Sequence, residues 1–315
     1  MENEKMIQDI LDLINSHGNR GAIVPFSRIN DLKNDMLKLK NGNFHTKSLD
    51  HMVNHFMGND EKYIPNDIEF KPLSLISIIM PSPKVILQFN YRGRLIHCIV
   101  PPHYTNWNLK NELTLQYLKN YLTPYGLSVS IIRTIPQKLL AVHCGLALYG
   151  RNNICYNCEF GSYIQIMTYI SDLPCNVSMW FPLKQMETCK KCHSCVSSCP
   201  TGAITLSCAL INSDKCITLV NESPEDFPDW IDKDMHNSII GCIKCQDCCP
   251  GNAKNIDNVK TGIAFTEEET TELLNHMSGE PYIGSLAAKI ETIGVYQKYI
   301  NIDVLPRNLA VLLKK

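Results

Sequence analysis

The sequence predicts an α+β fold in which a mixed domain is followed by a cysteine-rich module, and three observations carry that reading. The chain of 315 residues is 44% apolar, enough over that length to bury a sizeable core. Apolar periodicity is helical at first, then strand-like, then mixed, over residues 1–183. Ten of the fifteen cysteines lie between Cys189 and Cys249. The expected organisation is therefore an α+β domain at 1–183, a cysteine module at 184–256 and a short helical segment at 257–315.

Met6, Ile7, Ile10, Leu11 and Ile14 recur at helical spacing and stop at His17-Gly18, marking an amphipathic opening helix. A second helix runs from Ile29 to Leu39, and a polar stretch rich in Asn and His leads to Asp67. Leu73 to Met80, Val85 to Phe89 and Leu95 to Val100 read as adjacent strands of one sheet, with a hairpin turn at Asn90-Tyr91-Arg92-Gly93. Leu109, Leu113, Tyr117 and Tyr121 mark one face of a helix ending at Pro124-Tyr125-Gly126. Leu127 to Ile132 reads as a strand and Gln137 to Tyr149 as a helix, while Ser162 to Ile170 fits either state. Helices are expected at Glu267 to His276, Tyr282 to Ile293 and Leu305 to Leu313.

A formal net charge of −1 gives no global field to recruit nucleic acid or a membrane surface. The apolar runs are cut by Pro81 and Pro83 well short of the roughly eighteen residues a membrane helix needs. Met1-Glu2-Asn3-Glu4-Lys5 has no basic stretch leading into an apolar segment, so a cytoplasmic protein with no membrane partner is expected. In that reducing compartment an odd, large number of thiols points to metal ligands and core residues rather than to disulfides.

Spacing separates the two. Cys189, Cys192, Cys195 and Cys199-Pro200 form one motif; Cys216 and then Cys242, Cys245 and Cys249-Pro250 form a second. Two-residue gaps wrap three corners of an iron–sulfur cubane, and a Cys-Pro leaving the loop is aimed at the other cluster. Crossed ligation assigns one [4Fe-4S] cluster to Cys189, Cys192, Cys195 and Cys249, and another to Cys199, Cys216, Cys242 and Cys245. Structural zinc also takes four thiolates, but does not account for two motifs with the same Cys-Pro tail. Thr201-Gly202-Ala203-Ile204 completes a ferredoxin-like pattern by letting the chain turn tightly. Cys248 is read as a packing residue beside Cys249. Cys98, Cys144, Cys175 and Cys208 are read as core thiols, and Cys155 with Cys158 as either a redox dithiol or structural thiols.

The segment His143-Cys144-Gly145-Leu146-Ala147-Leu148-Tyr149-Gly150-Arg151-Asn152-Asn153, then Phe160-Gly161-Ser162, followed by the double-cluster module, resembles the cobalamin-dependent epoxyqueuosine reductases. It is more distantly similar to the reductive dehalogenases. The resemblance covers roughly residues 127–252. It implies a nitroreductase-like first domain that holds cobalamin without a lower protein ligand, fed with electrons by the ferredoxin-like module. Its cofactor-binding residues would be Gly145, Leu146, Tyr149, Gly150, Arg151, Asn152, Asn153 and Ser162. Two glycines suit close approach of a flat ligand, Arg151 a phosphate and the asparagines corrin amides; a helix ending at Gly150 with surface polar residues after it is the competing reading.

Members acting on tRNA carry an aspartate three residues before a proline, the presumed proton donor. Aligning Pro136 puts Arg133 there, and a guanidinium is a poor acid. His143 and Tyr149 are the other catalytic candidates. The helical-repeat tail that many such members carry is not in the sequence, and a pI of about 6.8 adds no reason to expect tRNA. The leading expectation is therefore a cobalamin-dependent iron–sulfur oxidoreductase acting on a different, small-molecule substrate. It would take electrons from a low-potential donor of the ferredoxin or flavodoxin type. The alternatives are a protein that reduces the corrinoid of a partner protein, and an epoxyqueuosine reductase acting on tRNA.

Overall fold

The computed structural model describes residues 2–42, 46–57, 68–176, 179–206, 210–294 and 302–314. The first elements are α1 (Glu2–Ser16), β1 (Arg20–Pro25), α2 (Ile29–Lys40), α3 (Lys47–Met57) and β2 (Ser74–Pro81). Then come β3 (Lys84–Tyr91), β4 (Arg94–Val100), α4 (Trp107–Leu122), β5 (Val129–Ile131), α5 (Gln137–His143), β6 (Leu148–Tyr149), β7 (Cys155–Tyr156) and β8 (Ile164–Ser171). The last part holds α6 (Ser194–Ser198), α7 (Ile217–Glu222), α8 (Lys244–Asp247), β9 (Val259–Phe265), α9 (Glu267–Leu274), α10 (Gly284–Ile293) and α11 (Val304–Leu312). They gather into two compact units, one of Met1–Pro81, Lys110–Glu159 and Ile164–Lys190, the other of Ser82–Leu109, Phe160–Tyr163 and Lys191–Lys315.

The first unit is built on a sheet of order β1-β2-β8-β5, antiparallel throughout. Nearly all of β2 is buried, which explains its near-continuous apolar run. Met6, Ile10 and Ile14 bury one face of α1, as the spacing predicts. The expected face of α4 is wrong: Leu109 and Leu113 are 53% and 59% exposed, while Asn111, Thr114, Leu118 and Leu122 are buried. Two polar residues turn inward because the sheet offers them partners. The Tyr169 hydroxyl donates to the Asn111 carboxamide oxygen at 3.2 Å, and Thr114 Oγ1 lies 3.6 Å from the Met80 sulfur. The ambiguous run before Ile170 is the strand β8, held between β2 and β5.

The helix expected to reach Tyr149 stops at His143, because Gly145 adopts a φ of +74°, a left-handed turn that a helix cannot continue through. Leu148-Tyr149 instead pairs with Cys155-Tyr156 as a two-stranded ribbon.

In the second unit the sheet order is β4-β3-β9. β3 and β4 form the expected hairpin, turning at Arg92-Gly93 with φ of +51° and +69°, as a two-residue turn matching strand twist requires. The expectation that this hairpin lies beside β2 is not met. β2 has β1 and β8 on its two edges, while β3 takes β9, from beyond the cysteine module, as a parallel neighbour. A strand thus lies in the segment read from sequence as helical only. Gly262 permits the pairing: a Cβ there would stand 2.6 Å from Val85 Cγ1 and 2.9 Å from the Ile86 carbonyl oxygen. The hairpin also belongs to the second unit rather than to 1–183.

The core of this unit joins Leu87, Phe89 and Val100 of the hairpin to Phe265, Leu273, Leu286 and Leu309. The Phe89 and Phe265 rings stack at 4.5 Å, both fully buried. Thr266 caps α9 in a reciprocal box with Glu269. Phe265→Ala is expected to cost about 3–5 kcal/mol by opening a cavity, and Thr266→Ala about 1 kcal/mol by freeing a helix-terminal N–H. Urea midpoints of the two variants check this order, and an equal effect of both contradicts it.

Candidate functional site

The cysteine motifs occupy short helices and the turns around them, Cys189 in the last segment of the first unit and the others in the second. Cys195 lies in α6, Cys216 starts α7 and Cys245 lies in α8. Cys199, Cys216 and Cys242, far apart in sequence, stand close enough that each of the latter two feels the charge of Cys199. These are three of the four thiols assigned by spacing to one cluster. Burial pushes Cys242 up to about 11 and raises Cys216, so each thiol holds its proton until a metal displaces it. Among the described residues, no three His, Cys, Asp or Glu side chains converge tightly enough to hold one metal ion. A cubane spreads its thiolates over separate irons and is more open than four ligands on one zinc. An all-thiol donor set with these spacings is the kind an iron–sulfur cluster takes.

The loop carrying Cys242 is fixed by amides. Asn237 Nδ2 donates to Cys242 Sγ at 3.1 Å, and Asn237 Oδ1 accepts the Ile243 backbone N–H at 2.9 Å. Asn221 Nδ2 donates to the Gly241 carbonyl, which leaves its Oδ1 to accept from His236 Nδ1 at 2.9 Å. Asn308 of α11 donates to the carbonyls of Asn221 and Ile239, both at 2.9 Å. Asn221 and Asn308 are fully buried. The Tyr104 hydroxyl donates to Glu222, a carboxyl that burial raises and that bond only partly offsets. The spacing of cysteines gave no signal for any of these supports.

Cys248 departs from its expected role in the core. It is partly exposed, with its sulfur 3.7 Å from the Cys245 carbonyl oxygen. Ser198 is within hydrogen-bond reach, and Cys249 and Cys192 are near enough for their charges to act on it. Cys98, Cys144 and Cys175 are buried as expected, and burial pushes Cys98 and Cys144 up to about 12. Cys208 lies outside the described residues. Cys155 is buried and Cys158 exposed; burial pushes Cys155 up to about 11, which suppresses the thiolate a redox dithiol needs.

In the first unit, the segment from Gly145 to Asn153 is a turn and ribbon rather than a helix end. A Cβ on Gly145 would meet the Phe181 ring at 2.7 Å, and one on Gly150 would meet the Asn152 carboxamide oxygen at 2.5 Å. Both close approaches are thus already made inside the chain. The Leu146 carbonyl accepts from Asn157. Asn152 is buried, donates to the Tyr156 hydroxyl at 2.9 Å and accepts from the Ile154 backbone. Asn153 closes the turn at a φ of +58°. Arg151 donates to the Cys189 carbonyl at 2.6 Å, and its Nε is buried without a partner. That orphaned donor and the half-buried Tyr149, whose phenol burial raises far above its ordinary range, are the features here that fit a polar cofactor. Ser162 falls in the other unit, where it bonds to Gln246 at 2.9 Å and to Asn252.

Arg133 is half-buried between β5 and α5, and its charge is felt at the Tyr169 phenol. His143 is buried, with Nε2 2.7 Å from Asp35 Oδ2 and Nδ1 2.6 Å from the Phe181 carbonyl oxygen. Its ring stacks on Trp180 at 4.4 Å, and the Arg28 guanidinium lies 4.9 Å from that indole centroid. Two oxygen acceptors on the two ring nitrogens favour an imidazolium against an ionised Asp35. Both protons are engaged, so His143 acts as a clamp joining α2, α5 and the Trp180–Phe181 strap. Burial tends to raise Asp35, but hydrogen bonds from Lys38 and His143 outweigh it and hold the carboxyl below its ordinary value. Asp35 sits among lysines on α2, and the sequence gave no cue to its partner.

Residues 188–252 match the family described as a 4Fe-4S double cluster binding domain, which defines an iron–sulfur protein by class. More particularly, the chain resembles the epoxyqueuosine reductases. It is 27% identical over 258 residues to that of Leadbetterella byssophila, covering 75% of this chain and 79% of that one. It is 36% identical over 119 residues to that of Cyclobacterium marinum, covering 38% of this chain and only 37% of that one. An epoxyqueuosine reductase crystallised with an epoxyqueuosine-modified tRNA-Tyr stem loop has the same fold, with a TM-score of 0.67 at 18% identity over 99% of this chain and 81% of that one. Likeness to a reductive dehalogenase is weak, at a TM-score of 0.39. Among the described residues no helix is long and apolar enough to cross a membrane.

Two predictions follow from these contacts. Asn237→Leu removes an N–H donor from Cys242 and is expected to lower one cluster's midpoint potential by up to roughly 60 mV, a tenfold change for one electron; potentiometric EPR reads it, and an unchanged potential contradicts the contact. Asp35→Ala is expected to destabilise the protein by about 3 kcal/mol at pH 7, by leaving His143 buried without its counter-ion. Because the folded pKa of Asp35 lies below its ordinary 3.8, its contribution is fully present above that value and fades as pH falls through the folded one. The gap between wild-type and variant urea midpoints should therefore narrow toward pH 3.

Proposed function

We propose that the protein is a cobalamin-dependent iron–sulfur reductase that removes the epoxide oxygen of epoxyqueuosine in tRNA. The observation carrying this reading is the convergence of Cys199, Cys216 and Cys242 within a double-cluster domain. Its setting is a chain that aligns with an epoxyqueuosine reductase over 79% of that protein's length. Residues 184–256 are the ferredoxin-like electron module, with Cys189, Cys192, Cys195 and Cys249 on one cluster and Cys199, Cys216, Cys242 and Cys245 on the other. The nitroreductase-like first unit holds cobalamin, with Tyr149 and Arg151 the residues best placed to bind it. Gly145, Gly150 and Asn152 shape the ribbon that presents them. When bound, cobalamin supplies a low-valent cobalt able to deliver two electrons. With two protons these release the epoxide oxygen as water.

The expectation of a different substrate finds no support in the relatives, whose names and tRNA complex fit the tRNA reading at least as well. Arg133, where the resemblance calls for an acid, favours a second reading, delivery of electrons to a partner's corrinoid. A guanidinium suits that role because electron delivery needs no proton donor. In either case a low-potential donor of the ferredoxin or flavodoxin type feeds the clusters.

Anaerobically purified protein, given cobalamin and a strong reductant, should convert epoxyqueuosine to queuosine in tRNA, read by mass spectrometry of digested nucleosides. No conversion under conditions where the visible spectrum shows reduced, bound cobalamin would overturn the tRNA reading. No binding of cobalamin at all would overturn the cofactor assignment while leaving the clusters in place.

A further inference from the structure

The cysteine module holds two thiols more than two cubanes require: Cys208, which lies outside the described residues, and Cys248, whose place in the fold is informative. Cys248 ends α8 in a helical conformation, with φ of −81°, while its neighbour Cys249 is extended, with φ of −80° and ψ of 123°. α8 packs against α6, the helix that bears Cys195 and ends at Ser198. Ser198 lies within hydrogen-bond reach of the Cys248 thiol, and Cys192 and Cys249 are its charged neighbours. The sulfur stays partly accessible rather than entering the apolar core. Cys192 and Cys249 are both ligands that spacing assigns to the same cluster, and Cys249 is the next residue in the chain, so the extra thiol stands beside that cluster's ligand set, with its sulfur also 3.7 Å from the backbone carbonyl oxygen of Cys245.

We infer that Cys248 is a reserve ligand of the cluster held by Cys189, Cys192, Cys195 and Cys249, able to replace Cys249 on its iron. The inference rests on reading the module as iron–sulfur. The exchange moves no electron: the Cys248 thiol releases its proton to solvent, its sulfur binds the iron, and the departing Cys249 thiolate takes up a proton. Adjacent residues make the exchange local, since one peptide unit separates the two sulfur-bearing positions and α8 need not move from α6. A cluster with such a reserve survives loss of the Cys249 ligand, for instance by oxidation of that sulfur, which would otherwise shed iron.

The test uses the full chain, reconstituted anaerobically with ferrous iron and sulfide. Iron per chain and the EPR spectrum of the dithionite-reduced protein are compared for wild type, C248A, C249A and the C248A/C249A double variant. Wild type and C248A should hold about eight irons, two cubanes. C249A should also hold about eight, with one of its two EPR signals altered, and Cys248 in it should resist alkylation by iodoacetamide as mapped by peptide mass. The double variant should fall to about four, and its remaining signal shows that the module is folded. A C249A protein that loses half or all of its iron, with Cys248 open to alkylation, overturns the reserve role. Wild type that fails to reach two cubanes overturns the cluster reading itself, a different outcome.

Discussion

Three thiols that start far apart in the chain are drawn near one another, each partly buried, and hydrogen-bonded amides hold the loop that brings the last of them. Cys199 leaves α6, Cys216 opens α7, and Cys242 follows a loop with little regular structure of its own. Such a loop has carbonyls to satisfy and little apolar surface with which to fix itself. Asn221 and Asn308 supply the donors, and Asn237 ties both a backbone N–H and the Cys242 sulfur. Buried networks of this kind are costly when incomplete and rigid when complete. The C-terminal helix α11 is therefore part of the metal centre's support, since Asn308 reaches from it to both sides of the loop.

The same constraint explains why β9 returns to the hairpin of β3 and β4. α9, α10 and α11 need an apolar surface to pack on, and the sheet formed by the hairpin with β9 offers Leu87, Phe89 and Phe265. Once those helices are seated, Asn308 is in position. The hairpin precedes the cysteine motifs by almost a hundred positions, yet it founds the core on which their last support stands. In the first unit, burial of an ion pair has a comparable role. His143 and Asp35 join α5 to α2, and the Phe181 carbonyl takes the second imidazole proton, so the turn at Gly145 is braced by Phe181 from outside.

How much of this was legible in the sequence depends on the range of the interaction. The eight candidate ligand positions are read from local spacing, and three of those positions, Cys199, Cys216 and Cys242, lie near one another in the fold. α1, the hairpin turn and the C-terminal helices were also legible, because periodicity and turn residues act over a few positions. What failed was non-local. Pairing of β3 with β9 spans the whole module, and nothing in either strand names the other. The buried face of α4 was misread because Asn111 and Thr114 count as polar until Tyr169 and Met80 are set against them. Asn237, Asn308 and Asp35 were missed for the same reason: an amide or carboxylate acquires its role from a partner elsewhere.

The glycine-rich segment shows where a resemblance and a structure say different things about the same residues. By resemblance, Gly145 and Gly150 make room for a flat cofactor; in the chain itself, Phe181 and Asn152 already occupy that room. Asn152 likewise spends both ends of its carboxamide within the turn. These residues can thus be indispensable to a cofactor site without touching the cofactor, by fixing the ribbon that carries Tyr149 and Arg151. Arg151 differs from them. Its terminal nitrogen is committed to the Cys189 carbonyl, whereas its Nε is buried and unmatched, a cost of about 1–3 kcal/mol that a bound acceptor would relieve. On physical grounds the ligand contact to seek first is there, and the glycines are better understood as the reason the arginine can stand where it does.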